Sequence, residues 1–363
     1  MKKAFITGIN GQDGSYLTEH LLKSGYEVAG LVRRSSVSEN QTYRINHLED
    51  KIKTYYGDLI DKSSIANAFK DFKPDLIFNL AAQSHVRLSF DMPAFTAQVN
   101  AIGALNVFDS VKDICPDAKV YQARSSEMFG SSVDEDNFQR ETTPMTPVSP
   151  YGCSKLYAYS IARNFRKAYG LFISNGILFN HESPRRNINF VSRKITKNLS
   201  LIIKGKIKKV ILGNINSKRD WGHAKDYVYM QWLMLQQEKP EDFVIASGQT
   251  TTVREFIEIC ARKLGWDMRS KDKAIIWEGS GINEIGRRAD TGDIVIRIDP
   301  RYFRPTEVDE LLGDASKARE KLGWEPKILI EELISEMIDE DSKESKKESL
   351  LKNEGFSVYS FKE

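Results

Sequence analysis

The chain has 363 residues, 40% hydrophobic and 28% charged, enough to bury a full core in one large domain with a smaller lobe built onto it. Its 53 basic and 50 acidic residues leave a formal charge of +3, with no broad cationic field for nucleic acid or a membrane surface, so phosphate recognition has to be local. Cys115, Cys153 and Cys260 lack the pairing of a disulfide framework, the five histidines lack metal-ligand spacing, and no apolar run or leader marks a membrane or secretory route; a metal-free, cytoplasmic protein is expected.

Short apolar runs alternate with amphipathic stretches through the first half: Lys3–Thr7 then Tyr16–Lys23; Glu27–Val32; Lys53–Tyr56 then Ser63–Lys70; Leu76–Leu80. This rhythm predicts an α/β fold, a doubly wound parallel sheet with helices on both faces. Val120–Ala123 and Phe172–Leu178 read as further strands, and Pro150–Ala168 as a helix with Tyr157, Ile161 and Phe165 on one face. From about His181 the pattern changes to a smaller C-terminal α/β substrate-binding lobe with strands around Lys209–Leu212 and Phe243–Ile245, a long loop over Gly279–Arg304, and a closing helix near Ser316–Leu322. The expected organisation is a dinucleotide-binding domain over 1–180 to which later segments return, a substrate lobe over 181–338, and a charged tail over 339–363 read as a solvated helix.

The first strand runs into Thr7-Gly8-Ile9-Asn10-Gly11-Gln12-Asp13-Gly14, a G-x-x-G-x-x-G turn opening a helix. Glycines there permit a tight turn and close approach to a pyrophosphate at the helix N-terminus, the mark of a Rossmann-type site. After the second strand, where an NAD enzyme places an acidic residue for the ribose hydroxyls, stands Arg33-Arg34-Ser35-Ser36. Two guanidinium groups and two hydroxyls suit the 2′-phosphate of NADP. Asp58-Leu59 after the third strand is placed to meet the adenine edge, and Leu80-Ala81-Ala82-Gln83-Ser84 after the fourth to pass beneath the cofactor.

In Tyr151-Gly152-Cys153-Ser154-Lys155, a tyrosine and a lysine four apart share one helix face. A nearby ammonium lowers a phenol's pKa, so Tyr151 fits a base that takes a hydroxyl proton while hydride leaves for a nicotinamide. Tyr157 and Tyr159 have no lysine four residues on. Arg124-Ser125-Ser126-Glu127 closes a strand with a hydroxyl and a carboxylate. A carboxylate beside an oxidised sugar removes the proton next to the new ketone, which points past dehydrogenation to elimination. His181, in Asn180-His181-Glu182-Ser183-Pro184-Arg185-Arg186, reads equally as a structural residue or as a group entering the cleft.

These passages, with Ala81-Ala82-Gln83-Ser84-His85-Val86, Lys218-Arg219-Asp220-Trp221-Gly222-His223 and Tyr302-Phe303-Arg304-Pro305-Thr306-Glu307-Val308-Asp309, resemble the extended short-chain dehydrogenase/reductases and, within them, the GDP-mannose 4,6-dehydratases, from Phe5 to about Leu333. The resemblance implies that Tyr151 takes the sugar 4-hydroxyl proton with Lys155 in support, that Ser125 polarises the 4-oxygen, that Glu127 abstracts the C5 proton and assists loss of the C6 hydroxyl, and that hydride returns to C6. It carries NADP contacts to the glycine turn from Gly8 to Asp13, to Arg33 through Ser36, Asp58, Leu59, Leu80 through Ser84, Phe95, Lys155, His181 and Arg186. Substrate contacts carry to Ser84, Ser125, Ser126, Glu127, Tyr151, Asn180, Val191, Lys194, Arg219 and Arg304. It also implies a homotetramer, a dimer of dimers, with the Arg33–Ser36 loop at a subunit interface.

This chain has Ser125 where the family carries Thr, and Arg124, Arg87 and Leu88 where it carries small residues. The two arginines leave GDP-D-glycero-D-manno-heptose as a second substrate. A sugar-nucleotide epimerase or reductase, or a catalytically silent NADP-binding scaffold, are the competing functions, and Glu127 beside Ser125 argues against each.

Overall fold

Strands buried on both faces read as continuous apolar runs, and Ala4-Phe5-Ile6 with Leu76-Ile77-Phe78 are such runs. The computed structural model describes residues 1–34, 42–267 and 273–357. In it β1 (Lys3–Thr7), β2 (Glu27–Val32), β3 (Ile52–Tyr56), β4 (Leu76–Asn79), β5 (Lys119–Ser125) and β6 (Ile173–Leu178) join the strand Phe243–Ile245 in one seven-stranded sheet. The order is Phe243–Ile245, β6, β5, β4, β1, β2, β3, with every pair parallel. The chain runs outward from β1 in one direction through β2 and β3, then in the other through β4 and β5. Between β1 and β4 lies the switch point, where an open α/β sheet offers a crevice at its carboxyl edge.

One face is covered by α1 (Gln12–Lys23) and the helix Ala224–Met234, whose Leu17, Leu21, Tyr227 and Met230 join Ile6, Val28 and Phe78 in a buried cluster. The other is covered by α2 (Lys62–Phe72), α5 (Gly103–Ile114) and α6 (Pro150–Tyr169), through Phe69, Val107, Phe108 and Phe165. Between β4 and α5 the chain forms α3 (Val86–Asp91), α4 (Pro93–Ala97) and a π turn over Gln98–Ile102.

The chain divides into two compact units. The first comprises Met1–His181, Arg219–Thr250 and Arg304–Lys327; the second comprises Glu182–Lys218, Thr251–Phe303 and the chain from Ile328 onward. Phe243–Ile245, expected in the second lobe, is instead the edge strand of the main sheet, and its full burial suits a position beside β6. In the second unit, Ile275–Glu278, Ile285–Arg288 and Ile294–Ile298 form an antiparallel sheet extended by Val210–Leu212. The stretch expected as a long loop therefore holds two strands, joined through Ala289-Asp290-Thr291-Gly292-Asp293, where Gly292 N donates to Arg288 O at 2.9 Å.

The tail is helical as expected but does not begin at 339, and it has a buried side. Ile330–Asn353 is one continuous helix across residue 339, with Leu333, Ile334, Met337, Ile338, Asp341 and Ser345 buried. Its inward stripe continues past the apolar residues because Asp341 takes the next position and meets Arg193 at 2.9 Å. No described helix is long and apolar enough to cross a membrane.

Candidate active site

The glycine turn sits at the carboxyl end of β1. Gly8 has φ +72°, and a Cβ there would come within 3.0 Å of the Ala81 backbone. A Cβ on Gly14 would lie 2.3 Å from the Gly8 carbonyl oxygen, so α1 starts against the turn itself. Gly11, at the N-cap, brings no side chain to cap the first turn, and its N–H donates to Gly8 O at 2.9 Å. A backbone shaped this way, at a helix N-terminus, fits a pyrophosphate. Ile9 packs beneath it against Gly30, and the Asn10 carbonyl accepts from Arg44 at 3.5 Å.

The segment after β4 is pinned to the same turn. Thr7 Oγ1 accepts the N–H groups of Leu80 and Ala81 at 3.1 and 3.2 Å. Ala82 follows, and Gln83 is clamped at its backbone by Asn100, which accepts from Gln83 N at 2.8 Å and donates to Gln83 O at 2.9 Å. Asn100 lies on the π turn, an irregularity that recurs at functional sites, and had no sequence signal of its own. Ser84 is exposed and Phe95 half-buried. Asp58 is fixed through its N–H to Ser64 Oγ at 3.2 Å, beside buried Leu59. Arg33 and Arg34 are exposed after β2, with the Arg34 guanidinium 5.4 Å from the Tyr56 ring centre. Ser35 and Ser36 lie outside the described residues.

Asp13, in the first turn of α1, is held from three sides. Its carboxylate accepts from Gln12 Nε2 at 3.1 Å and Gln231 Nε2 at 3.1 Å, and meets His181 Nε2 at 2.8 Å. The other ring nitrogen of His181 meets the Phe179 carbonyl at 2.9 Å, and the ring stacks on Tyr227 at 4.9 Å. Both ring nitrogens of His181 are held by polar partners. The structure thus brings His181 to the glycine turn.

At the end of β5, α6 opens on Ser149, whose hydroxyl accepts from Gly152 N at 3.0 Å, with Pro150 in the first helical position. Gly152 lies so close to the β5 terminus that a Cβ would fall 2.7 Å from Glu127 O, which seats the Tyr151 turn on Ser126–Met128. Lys155 Nζ donates to Ala123 O at 3.2 Å and stands 5.7 Å from the Tyr151 ring centre. Tyr151 and Lys155 are both buried, as are Ser126 and Glu127. Burial, with repulsion from Arg124 adding to it, lowers the Lys155 ammonium to about 7, against a favourable influence from Asp13. Ser125 Oγ accepts from Glu127 N at 3.3 Å. Glu127 Oε1 meets Arg304 Nη1 at 3.1 Å, while Oε2 is buried without a hydrogen bond.

Arg124 does not line a sugar pocket. Alternation along β5 turns it away from Ser125 and under α6, where Nε donates to Asn175 Oδ1 at 2.8 Å and Nη2 to Ala158 O. Arg87 pairs with Asp91 on α3 at 2.8 Å. The expectation that these arginines reshape the hexose pocket loses its support at Arg124.

Asn180 opens the short strand Asn180–Glu182, which pairs with Lys218–His223. Arg219, on that partner, is buried and donates to Glu307 at 2.8 Å and to Asp309 O at 3.3 Å. Glu307 was not singled out in the sequence; its passage carried the resemblance, but nothing in it tells which arginine a glutamate will meet. Arg186, Val191 and Lys194 belong to the second unit. There Arg186 Nε lies 3.0 Å from Glu182 Oε2, Val191 opens a helix, and buried Lys194 stands 3.8 Å from the Tyr302 ring centre.

A parallel sheet with a glycine-lined turn at its switch point, and a Tyr-x-x-x-Lys pair seated on a Ser-Ser-Glu strand end, define a protein of the short-chain dehydrogenase/reductase class. The fold is shared with UDP-glucose 4-epimerase of Thermus thermophilus in complex with NAD, at a TM-score of 0.76 and 23% identity, covering 93% of this chain and 98% of that one. Residues 5–337 match the model of the GDP-mannose 4,6 dehydratase family, and the chain belongs to that family. It is 50% identical over 370 residues to the GDP-mannose 4,6-dehydratase of Yersinia enterocolitica, covering 99% of this chain and 98% of the relative. It is likewise 50% identical over 343 residues to the human GDP-mannose 4,6 dehydratase, covering 92% and 89%.

Proposed function

We propose that this chain is an NADP-dependent GDP-mannose 4,6-dehydratase, a hydro-lyase giving GDP-4-keto-6-deoxymannose. The observation that carries the chemistry is the seating of the Tyr151–Lys155 turn on the Ser125–Glu127 strand end. NADP, held by its pyrophosphate at the glycine turn, would supply a hydride acceptor for C4 and the source of the hydride returned to C6. Tyr151 takes the C4 hydroxyl proton, with Lys155 favouring the phenolate, and Ser125 donates a hydrogen bond to the new C4 carbonyl oxygen. Glu127 then takes the C5 proton, which the ketone acidifies, and gives it to the departing C6 hydroxyl, so the pair leaves as water. When hydride returns to C6, C5 takes up a proton in exchange with solvent, balanced by the one Tyr151 took from the C4 hydroxyl, so the residues are restored and no net oxidation results.

NADP rather than NAD is favoured by Arg33 and Arg34 at the position where a carboxylate would repel a 2′-phosphate. Arg219 and Arg304 suit the diphosphate of the GDP-sugar; the roles of Asn180, Val191, Lys194 and Arg186 rest on family membership. That membership also supports a cytoplasmic homotetramer with the Arg33–Ser36 loop at an interface, which sedimentation of the purified protein would check. The test of function is incubation with GDP-mannose in deuterated water without added reductant. A product lighter by one water, with solvent deuterium at C5, is expected. Unchanged GDP-mannose, or loss of water only from the corresponding heptose, would overturn the assignment.

A further inference from the structure

Glu127, proposed to take the C5 proton, has one of its carboxylate oxygens engaged by an arginine. Four side chains of the first unit stand in a row of alternating charge: Glu127, Arg304, Glu307 and Arg219. Arg304 Nη1 lies 3.1 Å from Glu127 Oε1 and 3.5 Å from Glu307 Oε1, and Arg219 Nη2 lies 2.8 Å from the same Glu307 oxygen. Two cations and two anions neutralise one another. The row is graded in access: the Glu127 and Arg219 side chains are 9% and 7% exposed, those of Arg304 and Glu307 25% and 22%.

We propose that Arg304 is a latch on Glu127, closed by the 3.1 Å ion pair and opened by a nucleoside diphosphate that takes the guanidinium for itself. The proposal rests on the reading that Arg304 and Arg219 receive the diphosphate. A diphosphate brings several anionic oxygens against one carboxylate oxygen, and arginine binds phosphate in paired hydrogen bonds. Arg304 is the more open member of its pair with Glu127, so the exchange begins at its accessible side. Once Arg304 turns to phosphate, Oε1 joins the already unpartnered Oε2, and both carboxylate oxygens become available at the sugar end of the ligand. Until then the buried anion keeps a counter-charge. Arg304 is in this sense a positioning residue that couples recognition of the nucleotide to release of the base.

The latch has a consequence opposite to that of an ordinary catalytic side chain: it competes with the ligand, so removing the carboxylate should tighten nucleotide binding. Calorimetric titration of GDP into the NADP-loaded protein should give a Kd about tenfold lower for Glu127→Gln than for the unaltered chain, the change expected for one charge-assisted hydrogen bond released. Glu127→Ala serves the same end should the glutamine variant not fold. In an Arg304→Ala background, where GDP binds more weakly, Glu127→Gln should make no further difference. Equal or weaker GDP binding by both Glu127 variants, with Arg304 present, overturns the latch while leaving the dehydratase reading intact. Failure of the unaltered protein to bind GDP at all removes the dehydratase reading, and the latch with it.

Discussion

Replacing Lys155 by methionine should make the protein more stable and less active, with a pH dependence of fixed sign. The side chain is buried, its Nζ meets the carbonyl of Ala123, and its ammonium titrates near 7 rather than at the ordinary 10.5. That difference corresponds to a penalty of about 5 kcal/mol on the protonated form, and relaxation with water entry reduces the realised value to about 2–3 kcal/mol. Below pH 7 the amine is protonated in both folded and unfolded chains, so the whole penalty is present. Between 7 and 10.5 the unfolded chain binds the proton and the folded one does not, so the native state of the unaltered protein gains stability as pH rises. Methionine has a similar length and no charge to bury. Scanning calorimetry of cofactor-free protein should therefore show Lys155→Met melting about 5 °C higher at about pH 6.5, with the advantage shrinking toward about pH 10. Turnover should fall by a factor of about 100 or more. A variant that melts at or below the unaltered protein at the lower pH, or an advantage independent of pH, would show that burial of this amine carries no such cost.

Arg33→Ala should weaken NADP binding by about 10–100-fold and leave NAD binding nearly unchanged, measured by fluorescence titration; equal losses for both would remove the 2′-phosphate from Arg33. Arg124→Met should raise the pH at which Lys155 loses its proton, because repulsion from the guanidinium is the second cause of the lowered value; NMR of methyl-labelled lysines reads this, and an unmoved titration would leave burial as the whole cause. Asp220→Ala should cost at least about 3 kcal/mol in urea denaturation, since the carboxylate accepts from Ser247 N, Ser247 Oγ, Gly248 N and Gly313 N at 2.6–3.3 Å. A loss below about 1 kcal/mol would mean that water replaces it at those donors.

The parallel sheet and the site at its carboxyl edge were legible in the sequence because both depend on local order. Apolar runs such as Leu76–Asn79 announce buried strands, and the glycine turn and Tyr151–Lys155 pair lie within one or two turns of chain. Contacts made across the chain were not legible. Asn100 clamps Gln83 from a π turn, and Glu307 reaches Arg219 over 88 residues, neither with a motif to mark it. Arg124 misled in the same way: its place next to Ser125 in sequence suggested a shared pocket, whereas the pleat sends the two side chains to opposite faces. The tail was legible as a helix but not its buried side, because the inward stripe is completed by Asp341, a residue that periodicity counts as exposed and that Arg193 makes tolerable inside.

The two charges at the centre of the proposed chemistry are managed in opposite ways. Lys155 donates to a carbonyl, with Asp13 favouring its charge only through space. Packing places the amine, and its protonation remains adjustable near neutral pH. A carboxylate set directly against Lys155 would stabilise the fold and fix the ammonium, but would also compete with the Tyr151 phenolate for it. Glu127 has the complementary problem, since it must be an anion when the C5 proton becomes acidic and is buried before any sugar arrives. Leaving it unpaired would carry the desolvation penalty continuously, while a permanent partner would occupy the oxygen the reaction needs. Arg304, half open and shared with Glu307, meets both demands if the ligand's diphosphate is the better partner. On this reasoning the substrate diphosphate does more than hold the nucleotide, and a sugar lacking it would meet a site whose base is still engaged.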